Sequence, residues 1–322
     1  MTEDRINLAI LFGGISSERE VSIKSAMEIL PFLEEKYRVN LIELNKNNFS
    51  TFINNIKSNS LVFNALHGGA GENGQIQSFL SQHNILYTGS GPTASMLAMN
   101  KHFTKIIATE NNINTPNWLT IRANPSNSSN NLFFKPKNKI KYPIVVKPNF
   151  QGSTLGLSIV NNKTQLSEAI KLSALFSNEI IIEEYIKGRE LTVGILGNKA
   201  LEVVEIIPKS GFYDYESKYT KGKTNYLSPA KIDEKTTSSI KSYALKIYKV
   251  LGCRHYARVD FILDENNRLY LLELNSLPGL CSTSLLPLSA KSAGLNFKKL
   301  LDVIINIALI DNDSASNFPL NK

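Results

Sequence analysis

Four residues in the last third of the chain could do chemistry together: Arg258, Asp260, Glu273 and Asn275. Residues 257–263 alternate, which puts Arg258 and Asp260 on one face of a strand and Val259 and Phe261 on the other. Residues 264–268 supply a turn. The return strand, 269–275, places Glu273 and Asn275 on one face and Tyr270, Leu272 and Leu274 on the opposite one. Folding back about the turn brings Asp260 opposite Glu273. Two carboxylates held between apolar strands repel and lose solvation, so something must offset both. A hard cation does so, and oxygen donors of this number suit magnesium that keeps waters and phosphate oxygens as its other ligands. The same pattern also fits a surface ion-pair network with Arg258, and taken by itself it leaves both readings open. The strand continues into Ser276-Leu277-Pro278-Gly279, a turn whose backbone N–H groups could face an anion.

Other segments carry the chemistry of phosphate binding. Lys147 ends an apolar strand and precedes Gly152-Ser153-Thr154-Leu155-Gly156. This is not the loop of a P-loop nucleotide site, whose lysine follows its glycines at a helix start. It is a glycine and hydroxyl turn between strands, able to lay backbone donors over phosphates while Lys147 supplies charge. Residues 180–186 form a second apolar strand running into Lys187-Gly188-Arg189-Glu190. There Glu183 could accept from an adenine amino group and Glu190 from ribose hydroxyls, although glutamates beside a strand are ordinarily just solvated.

Alternating strands and helices must position these groups. The run 6–12 ends at Gly13-Gly14, helical spacing follows over 22–36, and further strands are expected over 38–44 and 61–66. A glycine-rich stretch, 67–74, precedes a helix from Gln75. Strand, loop and helix in repetition mean a parallel sheet, with functional loops at the strands' carboxyl ends. A second unit begins near Asn100 with a helix carrying Lys101, then a Ser/Asn-rich surface loop (124–131) and strands over 142–147, 157–160 and 180–185. A polar, tyrosine-rich loop (208–229), a helix around Ile240, Ala244, Ile247 and Leu251, and the hairpin complete the chain.

With 322 residues, two or three compact units are expected. The net charge of +8 comes from scattered lysines rather than a basic run with interleaved aromatics, which disfavours nucleic acid as the partner. The start carries acids, and no apolar run approaches a membrane span, so neither a signal peptide nor membrane insertion is expected. Two cysteines, Cys253 and Cys281, without metal-type spacing suit a reducing cytoplasm.

In order and spacing, these motifs resemble the D-alanine–D-alanine ligases, an ATP-grasp family, over essentially the whole chain. The matching residues are Gly13-Gly14-x-Ser16-x-Glu18-Arg19-Glu20-Val21-Ser22, His67-Gly68-x-x-Gly71-Glu72-x-Gly74, and Lys147-Pro148 with Gly152-Ser153-x-x-Gly156. They continue with Tyr213-Asp214-Tyr215-x-x-Lys218-Tyr219, Arg258-x-Asp260, Glu273-x-Asn275-x-x-Pro278-Gly279 and Ser284-Leu285. The resemblance implies an α/β chain of three domains: an N-terminal parallel-sheet βαβ domain (1–99) and a two-domain α+β grasp (100–184 and 185–322) that grips ATP.

It further implies joining of two D-alanines at the expense of ATP for peptidoglycan synthesis, in a cytoplasmic homodimer. The metal would be magnesium, with manganese a possible substitute and two ions expected. Lys101, Lys147 and Lys218 match phosphate contacts, and Glu183, Tyr185, Ile186 and Glu190 the nucleoside site. Asp260, Glu273 and Asn275 match the metal ligands. Glu18 matches the residue that orients the first D-alanine's ammonium, with Ser153 and Tyr219 as its partners and His67 at the same site. Ser284 and Leu285 match the site of the second D-alanine, and Arg258 with the Gly279 N–H the stabilisers of the second chemical step. Relatives that make a D-lactate ester lack the Tyr219 equivalent, so an amine acceptor is implied. Three positions depart from the family pattern: Gln151 stands where an acid is common, His255 where glycine is common, and Ser276 where threonine is usual.

Overall fold

The apolar run at the start forms β1 (Asn7–Gly13), the centre of a four-stranded parallel sheet with β2 (Arg38–Leu44), β3 (Leu61–Asn64) and β4 (Leu86–Tyr87) in the order β2-β1-β3-β4. The computed structural model describes residues 5–56, 60–123, 131–134, 140–211, 213, 217–218, 220 and 222–316, with the backbone alone for 131–134 and 312–316. Alternation along β1 explains why the run is apolar throughout. Leu8, Ile10 and Phe12 pack under α1 (Arg19–Glu34), while Ala9 and Leu11 pack toward α2 (Gln75–Gln82) on the other face. A strand buried on both sides has no polar face to show. β3 stops at Asn64, two residues short of the expected Leu66, because the Asn64 carboxamide accepts the Leu66 N–H (3.2 Å) and turns the chain there.

The core under α1 is not made by the first third alone. The last helix, α8 (Phe297–Ser316), returns to it through Leu300, Leu301, Ile304 and Ile305, which share one cluster with Leu8, Ile10 and Phe63. Between them lie α3 (Pro92–Met99) and α4 (Lys101–Glu110), then two antiparallel sheets. One contains β5 (Trp118–Arg122), β6 (Asn131–Phe134), β7 (Ile144–Pro148), β8 (Ser158–Val160) and β9 (Glu179–Glu184), in the order β6-β5-β9-β7-β8, with α5 (Lys163–Ala174) against it. The other contains β10 (Gly188–Leu196), β11 (Lys199–Pro208), β12 (Thr224–Leu227), β13 (Tyr256–Asp264) and β14 (Leu269–Asn275), in the order β12-β11-β10-β13-β14. Helix α6 (Glu234–Val250) buries Ile240, Ala244 and Ile247 against that sheet, and α7 (Leu285–Ser292) lies beyond the hairpin. The stretch expected as loop over 208–229 contains strand β12; of the surface loop expected over 124–131, residues 124–130 lie outside the described residues and Asn131 instead begins β6.

His255 explains one departure from the family pattern. Its φ is +65°, in the left-handed region that glycine occupies without penalty. A side chain is tolerated here because both ring nitrogens are used: the Gly89 N–H donates to Nδ1 (3.0 Å), so Nε2 carries the proton and donates to Asp311 (2.9 Å). One imidazole thus ties the end of β4, the start of β13 and α8. Burial, aided by Arg254, pushes its pKa down to about 4. The folded value lies below the unfolded one, so unfolding takes up a proton between those pH values. Stability from this group is full above about pH 6.5 and falls as pH drops toward 4, by about 3 kcal/mol in all. Urea melts at pH 7 and pH 5 are expected to show a smaller pH difference for His255→Gly than for the parent. Equal differences would remove His255 as the titrating group.

Candidate active site

Strand pairing brings the chemistry together. β10 and β13 align Glu190 with Ile262, Thr192 with Asp260 and Gly194 with Arg258, and β13 and β14 align Asp260 with Glu273 and Arg258 with Asn275. The expected opposition of the two carboxylates is present, but a bulge follows it: Phe261 pairs with Leu271, leaving Leu272 as the extra residue. The expected faces are therefore corrected. Leu269, Leu271 and Leu274 are buried in the core, whereas Leu272 joins Glu273 on the wall of a cleft. The bulge re-aims Glu273 without breaking the hairpin.

Asp260 is not part of a surface network; it is 6% exposed. Arg258 donates to it from Nε and Nη2 (both 2.9 Å), Asn275 Nδ2 donates at 3.0 Å, and Thr192 Oγ1 donates at 2.6 Å. Glu273 pairs with Lys101 (3.1 Å), whose ammonium also donates to the Gln151 carbonyl (2.7 Å). Burial raises the Glu273 pKa, but Lys101, Lys218, Lys147 and Arg258 outweigh it and bring it down to about 2. Among the described residues, no group of three or more His, Cys, Asp or Glu side chains is placed to hold a metal ion. Asp260, Glu273 and Asn275 instead offer two carboxylates and one carboxamide, all hard oxygen donors. That set fits a magnesium that completes its shell from phosphate oxygens and water, not a closed structural site.

Two cavities meet here. The larger, about 340 Å³, is walled by Lys101, Lys147, Glu183, Tyr185, Ile186, Glu190, Lys218, Asp260 and Glu273. The smaller, about 190 Å³, is walled by Glu18, His67, Ser153, Arg258, Asn275, Gly279, Ser284 and Leu285. Gly152, Tyr213, Lys218 and Glu273 line both. Of the residues expected at the site, only Tyr219 lies outside the described residues.

Glu183 departs from expectation. Its carboxylate does not face the cleft as a ready acceptor for an amino group, because Lys147 donates to one oxygen (2.5 Å) and Lys105 pairs with the other (2.7 Å). Glu190 is partly exposed in the same cleft, and burial pushes its carboxyl up to about 7 against the pull of Lys218.

In the smaller cavity, Ser153 donates to Glu18 across the gap between the first and second sheets. Burial first, then Glu72, raises the Glu18 pKa, while Ser153, His67 and Lys218 oppose the rise. Ser153 and Thr154 have φ of +53° and +62°, a conformation non-glycine residues rarely adopt. Thr154 Oγ1 donates to the Tyr213 carbonyl (3.1 Å), which fixes this turn against the 208–229 segment. His67 Nε2 lies 3.1 Å from Ser25 Oγ. A Cβ on Gly279 would sit 3.0 Å from Ser284 Oγ, so the turn after β14 lies close against the start of α7.

The D-ala D-ala ligase C-terminus family model matches residues 107–306. A D-alanine–D-alanine ligase from Carboxydothermus hydrogenoformans is 38% identical over 311 residues, covering 94% of this chain and 98% of its own. The chain belongs to the D-alanine–D-alanine ligase family. A second relative in this family, from Aquifex aeolicus, is 40% identical over 301 residues, with 93% of this chain and all of its own covered. Among solved structures, a D-alanine–D-alanine ligase from Bacillus anthracis complexed with ATP superposes with a TM-score of 0.82 at 31% identity, covering 96% of this chain and 99% of its own. A D-Ala:D-Ser ligase from Enterococcus faecalis gives 0.79 at 28% identity, covering 95% and 100%. As a D-alanine–D-alanine ligase family member, the chain is an enzyme of the ligase class with the ATP-grasp fold.

Sequence reasoning missed Thr192, Ser25 and Lys105. Thr192 and Lys105 sit in apolar or helical runs where nothing local marks them, and Ser25 lies among ordinary helix residues. The pairing of β10 with β13 is the one cue that would have singled out Thr192.

Proposed function

We propose that the enzyme joins two D-alanines to D-alanyl-D-alanine with ATP, for peptidoglycan precursor synthesis in the cytoplasm, and works as a homodimer. The observation that carries this reading is the shared wall of the two cavities. A nucleotide in the larger one presents its terminal phosphoryl group toward Lys218 and Glu273, where a carboxylate held in the smaller one can reach it.

A carboxylate cannot take an amine directly, since the leaving group would be oxide. In the first step a carboxylate oxygen of one D-alanine attacks the γ-phosphorus. The bond from γ-phosphorus to the bridging oxygen breaks, and ADP leaves. Lys101, Lys147 and Lys218 gather charge at the phosphates, while Tyr185 and Ile186 wall the base. Asp260, Glu273 and Asn275 would hold magnesium, which supplies charge neutralisation on the phosphoryl oxygens. In the second step the neutral amine of the other D-alanine attacks the acyl carbon of the acyl phosphate, the carbon–oxygen bond to phosphate breaks, and the proton lost from nitrogen leaves with the phosphate. Arg258 and the Gly279 N–H stabilise the oxyanion formed on the way, with Ser284 and Leu285 beside the second substrate. Glu18, with Ser153 and His67, orients the first ammonium. The 208–229 segment excludes water from the acyl phosphate, carrying Lys218 and Tyr219.

Phosphate release with magnesium and ATP tests the reaction, run against D-alanine, L-alanine, D-serine and D-lactate. Release with D-alanine alone, and D-alanyl-D-alanine as product, is expected. Release that depends on D-serine or D-lactate as acceptor would replace the second substrate, and none with any of them would sink the reading.

A further inference from the structure

Lys105 is 0% exposed, an unusual place for an ammonium. It lies one helical turn after Lys101 on α4, so the two lysines project from one face. Lys101 reaches Glu273 on the hairpin, whereas Lys105 reaches Glu183 on β9. Its Nζ also donates to Thr115 Oγ1 (2.8 Å) and the Pro116 carbonyl (3.1 Å), and it sits over the Trp118 ring at 5.3 Å. Thr115 Oγ1 in turn donates to the Leu271 carbonyl (2.9 Å), and the Leu271 N–H donates to the Asn114 carbonyl (2.8 Å), beside the bulge that aims Glu273. One buried cation is therefore tied to both walls of the larger cleft.

Its charge matters as much as its bonds. Glu183 sits between Lys147 and Lys105, so the trio carries one net positive charge. Without Lys105, Glu183 would neutralise Lys147 outright, and a phosphate would meet an ion pair instead of a cation. Burial brings the Lys105 pKa down to about 8, against the pull of Glu183 and then Glu184.

We propose that Lys105 is a positioning residue for the nucleotide: it shares Glu183 with Lys147, leaving Lys147's charge available to the phosphates and fixing the spacing between Lys147 and Glu273. This rests on the larger cleft being the ATP site. Titration calorimetry with a non-hydrolysable β,γ-imido ATP analogue and magnesium tests it on the full chain, with thermal melting to confirm folding. Lys105→Met is expected to weaken binding about 10-fold or more. Adding Glu183→Gln to that variant restores the net charge beside Lys147 and is expected to recover much of the loss. In steady-state assays the single variant raises KM for ATP more than it lowers kcat. Unchanged binding in Lys105→Met, or a double variant that binds more weakly than the single one, would overturn the proposal. A parent chain that fails to bind the analogue would overturn the ATP reading itself, and this inference with it.

Discussion

Glu273→Gln is expected to lower kcat/KM for ATP by about 1,000-fold or more while leaving the protein folded. Glutamine keeps the shape and one oxygen but removes the charge opposite Asp260, halving the carboxylates offered to the proposed magnesium. Among the described residues, the ion-pair partner it strands is Lys101, which retains its bond to the Gln151 carbonyl at the cleft's edge. Asp260→Ala attacks the same site less cleanly. Asp260 accepts two hydrogen bonds from the partly buried Arg258, and removing it leaves that guanidinium without its carboxylate partner, at a cost to the fold. Lost activity in Asp260→Ala therefore mixes two causes that Glu273→Gln separates. Magnesium-dependent phosphate release, read beside a melting curve, checks the outcome. Turnover of Glu273→Gln within a few-fold of the parent would remove Glu273 from the metal site.

How much of this was legible in the sequence depended on the range over which each feature is encoded. The opposition of Asp260 and Glu273 is local: alternation on two strands and a short turn rich in Asp and Asn determine it. The bulge at Leu272 is not local in the same sense. Leu269 to Leu274 offers apolar residues at almost every position, so period two cannot say which of them skips a place. The apolar run of β1 was readable as a doubly buried strand, but not that α8, nearly three hundred residues on, would supply part of its cover. The Glu183 pairing lay further out of reach. Lys105, Lys147 and Glu183 come from a helix and two strands that are close only once the sheet order β5-β9-β7 is known. A lone glutamate at the end of a strand gives no hint that two lysines will claim both its oxygens. His255 was visible as a departure from pattern, yet its justification is tertiary: the ring's two partners lie 166 and 56 residues away.

Arg258→Lys is expected to lower kcat about 100- to 1,000-fold with little change in KM for ATP. The guanidinium lines the smaller cavity while two of its donors, on Nε and Nη2, are committed to Asp260. Its planar fork leaves further N–H groups on a rigid frame whose position Asp260 sets. In the proposed second step, a group held in advance where negative charge develops costs no reorganisation when the amine attacks, and that is the expected source of its effect on kcat. Lysine is a point charge on a flexible stem. It would follow Asp260 and keep the ion pair, but it has no fixed second edge to present to the oxyanion. The substitution thus preserves the charge balance that folding requires and removes the geometry that the proposed second step requires. Because Arg258 lines the smaller cavity and is absent from the walls of the larger one proposed for ATP, binding of ATP should be nearly unaffected. An Arg258→Lys enzyme whose kcat stays within about threefold of the parent would reduce Arg258 to a counter-ion for Asp260.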